Sequence, residues 1–188
     1  MASSADLVSA SPTYPLTASS WGQEELDAIA RVVKSGYFTI GDEVRAFETA
    51  FAQHLGKRHA VMVNSGSSAN LVSIAALFYR QNAPLRPGDE VIVPAISWST
   101  TYHPLQQYGL HLRFVDVELE SLNIDVEKLE AALTPKTRMV LAVSILGNPA
   151  KLDVIREFCD RHDLIFMEDY CESLDATLPD GRKAGTLG

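Results

Sequence analysis

The sequence predicts an α/β protein, a mainly parallel sheet sandwiched between helices. Two observations lead there. From His59 onward, short apolar runs alternate with segments of helical period. The joints between them hold turn residues such as Pro87-Gly88-Asp89, and no repeat or low-complexity tract suggests another architecture.

Taken in order, residues 1–13 are Ala/Ser-rich at their start, lack the basic opening of a signal peptide, and are expected to form a flexible leader. Two lead-in helices are expected over about 20–56. Ser20-Trp21-Gly22-Gln23 has capping-box spacing, Leu26, Ile29, Ala30 and Val33 share one face, and Gly36 supplies the stop. After the aromatic loop Tyr37 to Gly41, the second helix starts near Asp42 and ends at Gly56. Val44, Phe47, Phe51 and Leu55 should face inward.

The alternation then begins with a strand at His59 to Val63 and a helix at Ser67 to Tyr79. A strand follows at Glu90 to Val93, then a helix at Thr100 to Tyr108 with Pro104 near its first turn, and a strand at His111 to Val115. Next come a helix at Asp125 to Leu133 capped by Asp125, a strand at Arg138 to Val143, and a helix at Leu152 to His162. The last strand, Leu164 to Asp169, has four apolar residues in a row and is expected inside the sheet.

Composition narrows the function classes. The chain has 188 residues, 46% hydrophobic and 21% charged, enough for one globular domain with a sizeable core. A net charge of -8 argues against a nucleic-acid or anionic-membrane partner, and no apolar run approaches the ~20 residues that span a bilayer. Cys159 and Cys171 lack metal-ligand spacing and give no disulfide framework. They fit a reducing cytoplasm, as small buried hydrophobes.

Three stretches could carry chemistry. Asn64-Ser65-Gly66-Ser67-Ser68-Ala69-Asn70 joins a strand to a helix whose first turn holds no acid, which suits an anion at the free N–H groups. Taken alone, the stretch is more simply a Ser/Asn helix cap without ligand, and the loop matches neither glycine fingerprint, so dinucleotide and P-loop readings lose their support. Trp98, after Pro94, could stack on a flat ring or pack in a core or interface. Asp169 falls just past a strand's carboxyl end, where open sheets gather ligands, although Glu168 and Asp169 could also cap the next segment. An anion-ready helix start, an aromatic and a carboxylate at one sheet edge together match the needs of pyridoxal phosphate: donors for its phosphate, a stacking partner, and an acid for its pyridine nitrogen.

The order and spacing of several motifs resemble the DegT/DnrJ/EryC1/StrS sugar aminotransferase family. They are Gly41-Asp42-Glu43-Val44, Asn64 to Asn70, Pro87-Gly88-Asp89-Glu90-Val91-Ile92-Val93-Pro94, Glu168-Asp169 and Gly185-Thr186-Leu187-Gly188. The resemblance runs from about Tyr14 to Gly188. It implies the large domain of a fold type I aminotransferase, with residues 14–188 a partial cofactor domain that stops before the small domain. Pro94 to Tyr102, Leu146-Gly147-Asn148-Pro149 and Cys171-Glu172-Ser173 resemble a branch that removes the 3-hydroxyl of a nucleotide-linked 4-keto-6-deoxyhexose in deoxysugar and lipopolysaccharide synthesis.

By that resemblance, Gly66 and Ser67 would hold the phosphate of pyridoxal or pyridoxamine phosphate, and Trp98 would stack on its ring. Asp169 would meet the pyridine nitrogen and Glu172 would lie near the ring hydroxyl. Glutamate would restore the amine, and the full-length protein would be a cytoplasmic homodimer. The Schiff-base lysine of aminotransferases, or the histidine that replaces it in dehydratases, is expected beyond Gly188, so the chain alone should turn over nothing. The alternatives are a nucleotide-sugar aminotransferase and a non-catalytic truncated subunit.

Overall fold

The computed structural model describes residues 18–188, so the expected leader 1–13 lies outside the described residues. Two compact units result, the first reaching Arg45 and the second running from Ala46 to Gly188.

In the first unit, α1 (Gln23–Ser35) starts differently from expectation. Gly22 rather than Ser20 is its N-cap, and the Gly22 N–H donates to Glu25 Oε2 at 2.6 Å, so Glu25 rather than Gln23 closes the box. Gly36 ends the helix as foreseen, with φ 69° and its N–H on the Val33 carbonyl. Helix α2 (Asp42–His54) leads into the second unit. Its apolar residues do not all point inward. Ala52 is its buried residue, while Phe47 is 51% exposed and stacks with Phe51 at 5.5 Å between ring centroids.

The second unit is built on a parallel sheet of β1 (Glu90–Pro94), β2 (His111–Val115), β3 (Thr137–Val143) and β4 (Ile165–Asp169), in the order β2-β1-β3-β4. Crossovers are made by α4 (Ser99–Gln107), by a 3-10 turn (Val126–Lys128) continuing into α5 (Leu129–Ala132), and by α6 (Leu152–Arg161). Helix α3 (Gly66–Phe78) precedes the sheet.

Side chains alternate across the pleat and so feed two cores. Val91, Val93, Met139 and Leu141 pack with Ile74 of α3 and Leu105 of α4. Ile92, Val140, Ala142 and Phe166 pack with Leu129 of α5 and Ile155 of α6. Helices therefore cover both faces, as the alternation predicts.

Further expectations need correction. His59 to Val63 forms no strand: a strand needs a hydrogen-bonded neighbour, and no described residue pairs with it. Val61 is 76% exposed. Strand β4, expected inside the sheet, is its edge among the described strands, paired only to β3. The helix expected at Asp125 to Leu133 is broken into a 3-10 turn and one α-turn, although Asp125 does cap it through Glu127 N–H at 3.1 Å. Pro104 sits in the second turn of α4 rather than the first. Cysteine burial divides as well: Cys159 is buried, but Cys171 is exposed, and both are free thiols. No helix among the described residues is long and apolar enough to cross a membrane.

Candidate functional site

The sheet brings polar side chains together where β4 and the chain after β1 end. Pairing of Val143 with Asp169 sets the end of β4 level with that of β3. Residue alternation turns Asp169 to the face covered by α3 and α4, because Ile165 and Met167 pack there, and Glu168 to the opposite face with Phe166.

Asp169 is a hub. Its Oδ2 accepts from Asn70 Nδ2 at 3.0 Å and from Thr101 Oγ1 at 3.1 Å. Ser97 Oγ in turn donates to Thr101 Oγ1 at 3.1 Å. Asn70 lies in the second turn of α3 and Thr101 in the first turn of α4, so one carboxylate oxygen gathers the starts of both helices. The other oxygen, Oδ1, receives the Cys171 N–H at 3.4 Å, and the Cys171 thiol also hydrogen-bonds the Asp169 carboxylate.

Helix α3 begins as expected. Ser65 is its N-cap and accepts the Ser68 N–H at 3.2 Å, leaving the exposed Gly66 and Ser67 ahead of it. No acid lies in the first turn, and a Cβ added at Gly66 would meet nothing within 4 Å. The mouth of the helix is thus open to an anion. Trp98 is the N-cap of α4 and is 74% exposed, outside both cores. Ser67 shares a cavity between α3 and α4 with Leu71, Thr100 and His103, and neither Trp98 nor Asp169 lines it. What ties the three expected residues together is the hydrogen bonding of Asp169 to the two helices that begin beside Ser67 and Trp98.

Glu172 follows β4, and its Oε2 accepts the Leu146 N–H at 2.8 Å. Leu146 and Gly147 have φ 55° and 81°, so this carboxylate holds a left-handed turn of the Leu146 to Pro149 loop. Glu168 accepts backbone N–H groups from Gly185 at 2.7 Å and Leu187 at 2.6 Å, and a further one from Gly188. Lys183 is engaged with His54 Nε2 at 2.9 Å and Asp175 Oδ1 at 2.8 Å. Burial, and then the charge of Asp169, push the Cys171 thiol up to about 11. Among the described residues, no group of three His, Cys, Asp or Glu could hold a metal ion.

Asn70, Thr101, Ser97 and the hold of Glu168 on Gly185 to Gly188 had no role assigned from sequence. A signal existed for the first two. They are polar residues on helix faces that turn out buried, 9% and 2% exposed, where periodicity alone would place apolar side chains.

Open parallel sheets with helices on both faces, and polar groups gathered at the strands' carboxyl ends, form a class of ligand-binding α/β domains. The particular member is given by comparison: residues 19–188 match the DegT/DnrJ/EryC1/StrS aminotransferase family, and the chain belongs to it. It is 51% identical over 175 residues to the GDP-4-keto-6-deoxy-D-mannose 3-dehydratase of Yersinia pseudotuberculosis, covering 93% of this chain and 44% of that protein. The solved E. coli GDP-4-keto-6-deoxy-D-mannose-3-dehydratase with bound hydrated PLP superposes with a TM-score of 0.85 at 50% identity, over 89% of this chain and 43% of that one. The aminotransferase TlmJ from Streptoalloteichus hindustanus superposes at 0.80 with 31% identity, over 90% and 45%. The chain therefore spans less than half the length of these relatives.

Proposed function

We propose that this chain is the cofactor-binding part of a pyridoxal or pyridoxamine phosphate enzyme, a 3-dehydratase of a nucleotide-linked 4-keto-6-deoxyhexose. The observation that carries it is the Asp169 hub, which brings a carboxylate, an anion-ready helix start and an exposed indole to one edge of the sheet. Identity of about half to a dehydratase crystallised with PLP supports the substrate class.

The residues fit that group. Gly66 and Ser67 offer donors and open space to a phosphate, Trp98 offers an unobstructed face, and Asp169 keeps Oδ1 for a protonated ring nitrogen. Glu172 has its Oε1 left for a ring hydroxyl once Oε2 is taken by Leu146. When bound, the coenzyme supplies an amine to condense with the keto sugar and a ring that accepts electrons. In this reading, glutamate is the amino donor, the full-length protein is a cytoplasmic homodimer, and residues 14–188 form part of its large domain. A nucleotide-sugar aminotransferase is the second reading, favoured by the overlay on TlmJ.

Equilibrium dialysis of the chain against pyridoxamine phosphate tests the cofactor. Saturable binding is expected, abolished in Asp169→Ala. It should be weakened about fivefold in Trp98→Ala, as for loss of an aromatic stack of about 1 kcal/mol. No binding by the parent chain, or equal binding by Asp169→Ala, would overturn the reading. Assay of the full-length protein on the keto sugar, with and without glutamate, separates dehydration from amine transfer.

A further inference from the structure

Asp169 is bonded in a lopsided way. Two strong donors from α3 and α4 converge on Oδ2, while Oδ1 has a long contact from the Cys171 N–H at 3.4 Å, and the Cys171 thiol, a weak donor, also reaches the carboxylate. The direction of these bonds is determined by chemistry. The Asn70 amide nitrogen can only donate, so Oδ2 is an acceptor towards it. Ser97 gives its proton to Thr101 Oγ1, which leaves the Thr101 proton to go to Oδ2. Thr101 is 2% exposed and Asn70 9%, so water does not compete with either.

We propose that Asn70 and Thr101 are positioning residues that saturate Oδ2 of Asp169 and so present Oδ1 as the one oxygen that meets a cationic ring nitrogen. This rests on the cofactor reading above and adds to it which oxygen acts and what aims it. A proton shared between Asp169 and a bound ring then rides on Oδ1, because Oδ2 already accepts twice. Ser97 acts one step removed, by fixing the rotor of Thr101. The arrangement also accounts for two polar side chains inside helix faces that otherwise pack on the sheet. The bonds come from two separate helices, so the carboxylate is held against rotation from two directions.

The alternative is that these bonds only stitch α3 and α4 to the sheet. A ligand pair separates the two: pyridoxamine phosphate and its 1-deaza analogue, in which carbon replaces the ring nitrogen. Stitching would affect both equally, whereas aiming affects only the ligand with the nitrogen. The parent chain should prefer pyridoxamine phosphate by about tenfold, the scale of a charge-assisted hydrogen bond. Thr101→Val and Asn70→Ala, each checked for folding by circular dichroism, should shrink that ratio at least threefold. Thr101→Ser, which keeps the hydroxyl, should restore it. A ratio unchanged in both Thr101→Val and Asn70→Ala, with affinity for the two ligands falling in parallel, would overturn the proposal. If one variant fails to fold, the other decides. A parent chain that binds both ligands equally overturns the role of Asp169 itself, and one that binds neither overturns the cofactor reading; the proposal falls with either.

Discussion

The carboxylate of Glu168 accepts the N–H of Leu187 at 2.6 Å, across 19 residues of chain, and it takes those of Gly185 and Gly188 as well. Lys57 Nζ adds a bond to the Thr186 carbonyl at 2.7 Å. Three peptide N–H groups within four residues thus wrap around an internal anion, in the manner of the backbone nests that bind phosphates. Glu168 and Asp169 are neighbours on β4 with opposite tasks. One carboxylate shapes the Gly185 to Gly188 segment, and the other gathers the helices on the far face of the sheet.

Glu168→Ala should therefore free the amides of Gly185, Leu187 and Gly188. Their hydrogen exchange is expected to rise at least tenfold, with little change in the amides of β3. Added acetate should restore part of the protection by refilling the vacated nest. Exchange at the three amides within twofold of the parent would show that the segment keeps its path without the carboxylate.

Cys171 is exposed yet should react slowly. Partial burial, then the charge of Asp169, push its thiol up to about 11, and only the thiolate is an efficient nucleophile. At pH 7.5, alkylation by iodoacetamide is expected roughly a hundredfold slower than that of a free thiol, and to climb as pH rises toward 11. Asp169→Asn should speed it, since one of the raising charges is gone. Cys159, fully buried and pushed up to about 12, should stay unlabelled in the folded chain. A rate at neutral pH equal to that of a small thiol would contradict this account.

A pH effect of opposite sign is expected at Asp175. Lys183 at 2.8 Å and His54 at 2.6 Å hold its carboxyl below the usual carboxylate range. A group whose folded pKa is lowered contributes stability above its unfolded value, about 4, and loses it as pH falls further. This cluster ties the end of α2 to the Thr177 to Lys183 bridge. Exchange of the bridge amides, corrected for intrinsic rate, should therefore increase below about pH 4. The dependence should vanish in Asp175→Asn, a substitution that tolerates the local φ of 62°. An identical profile in that variant would remove Asp175 from the tether.

The layered fold was legible because its cause is local. Runs such as Val91-Ile92-Val93 and Met139 to Val143 are apolar on both faces, and both faces are indeed covered. Strand position was not legible. Four apolar residues before Glu168 read as an inner strand, yet β4 has β3 on one side only, because neighbours are a property of the whole sheet. His59 to Val63 fails for the same reason. In the site, Asp169 could be picked out by its place at a strand end. Asn70 and Thr101 stood out only as polar residues on helix faces, and their meeting with a partner 99 and 68 residues away is encoded by no short-range pattern.

The flank of β4 that has no partner among the described strands has a practical consequence for anyone handling this polypeptide. A strand bordered on one side only offers its peptide groups as a template, and beside it lie the apolar Ile165 and Met167 together with Leu77. Strand addition between molecules at that edge is therefore expected at high concentration, and light scattering against concentration checks it.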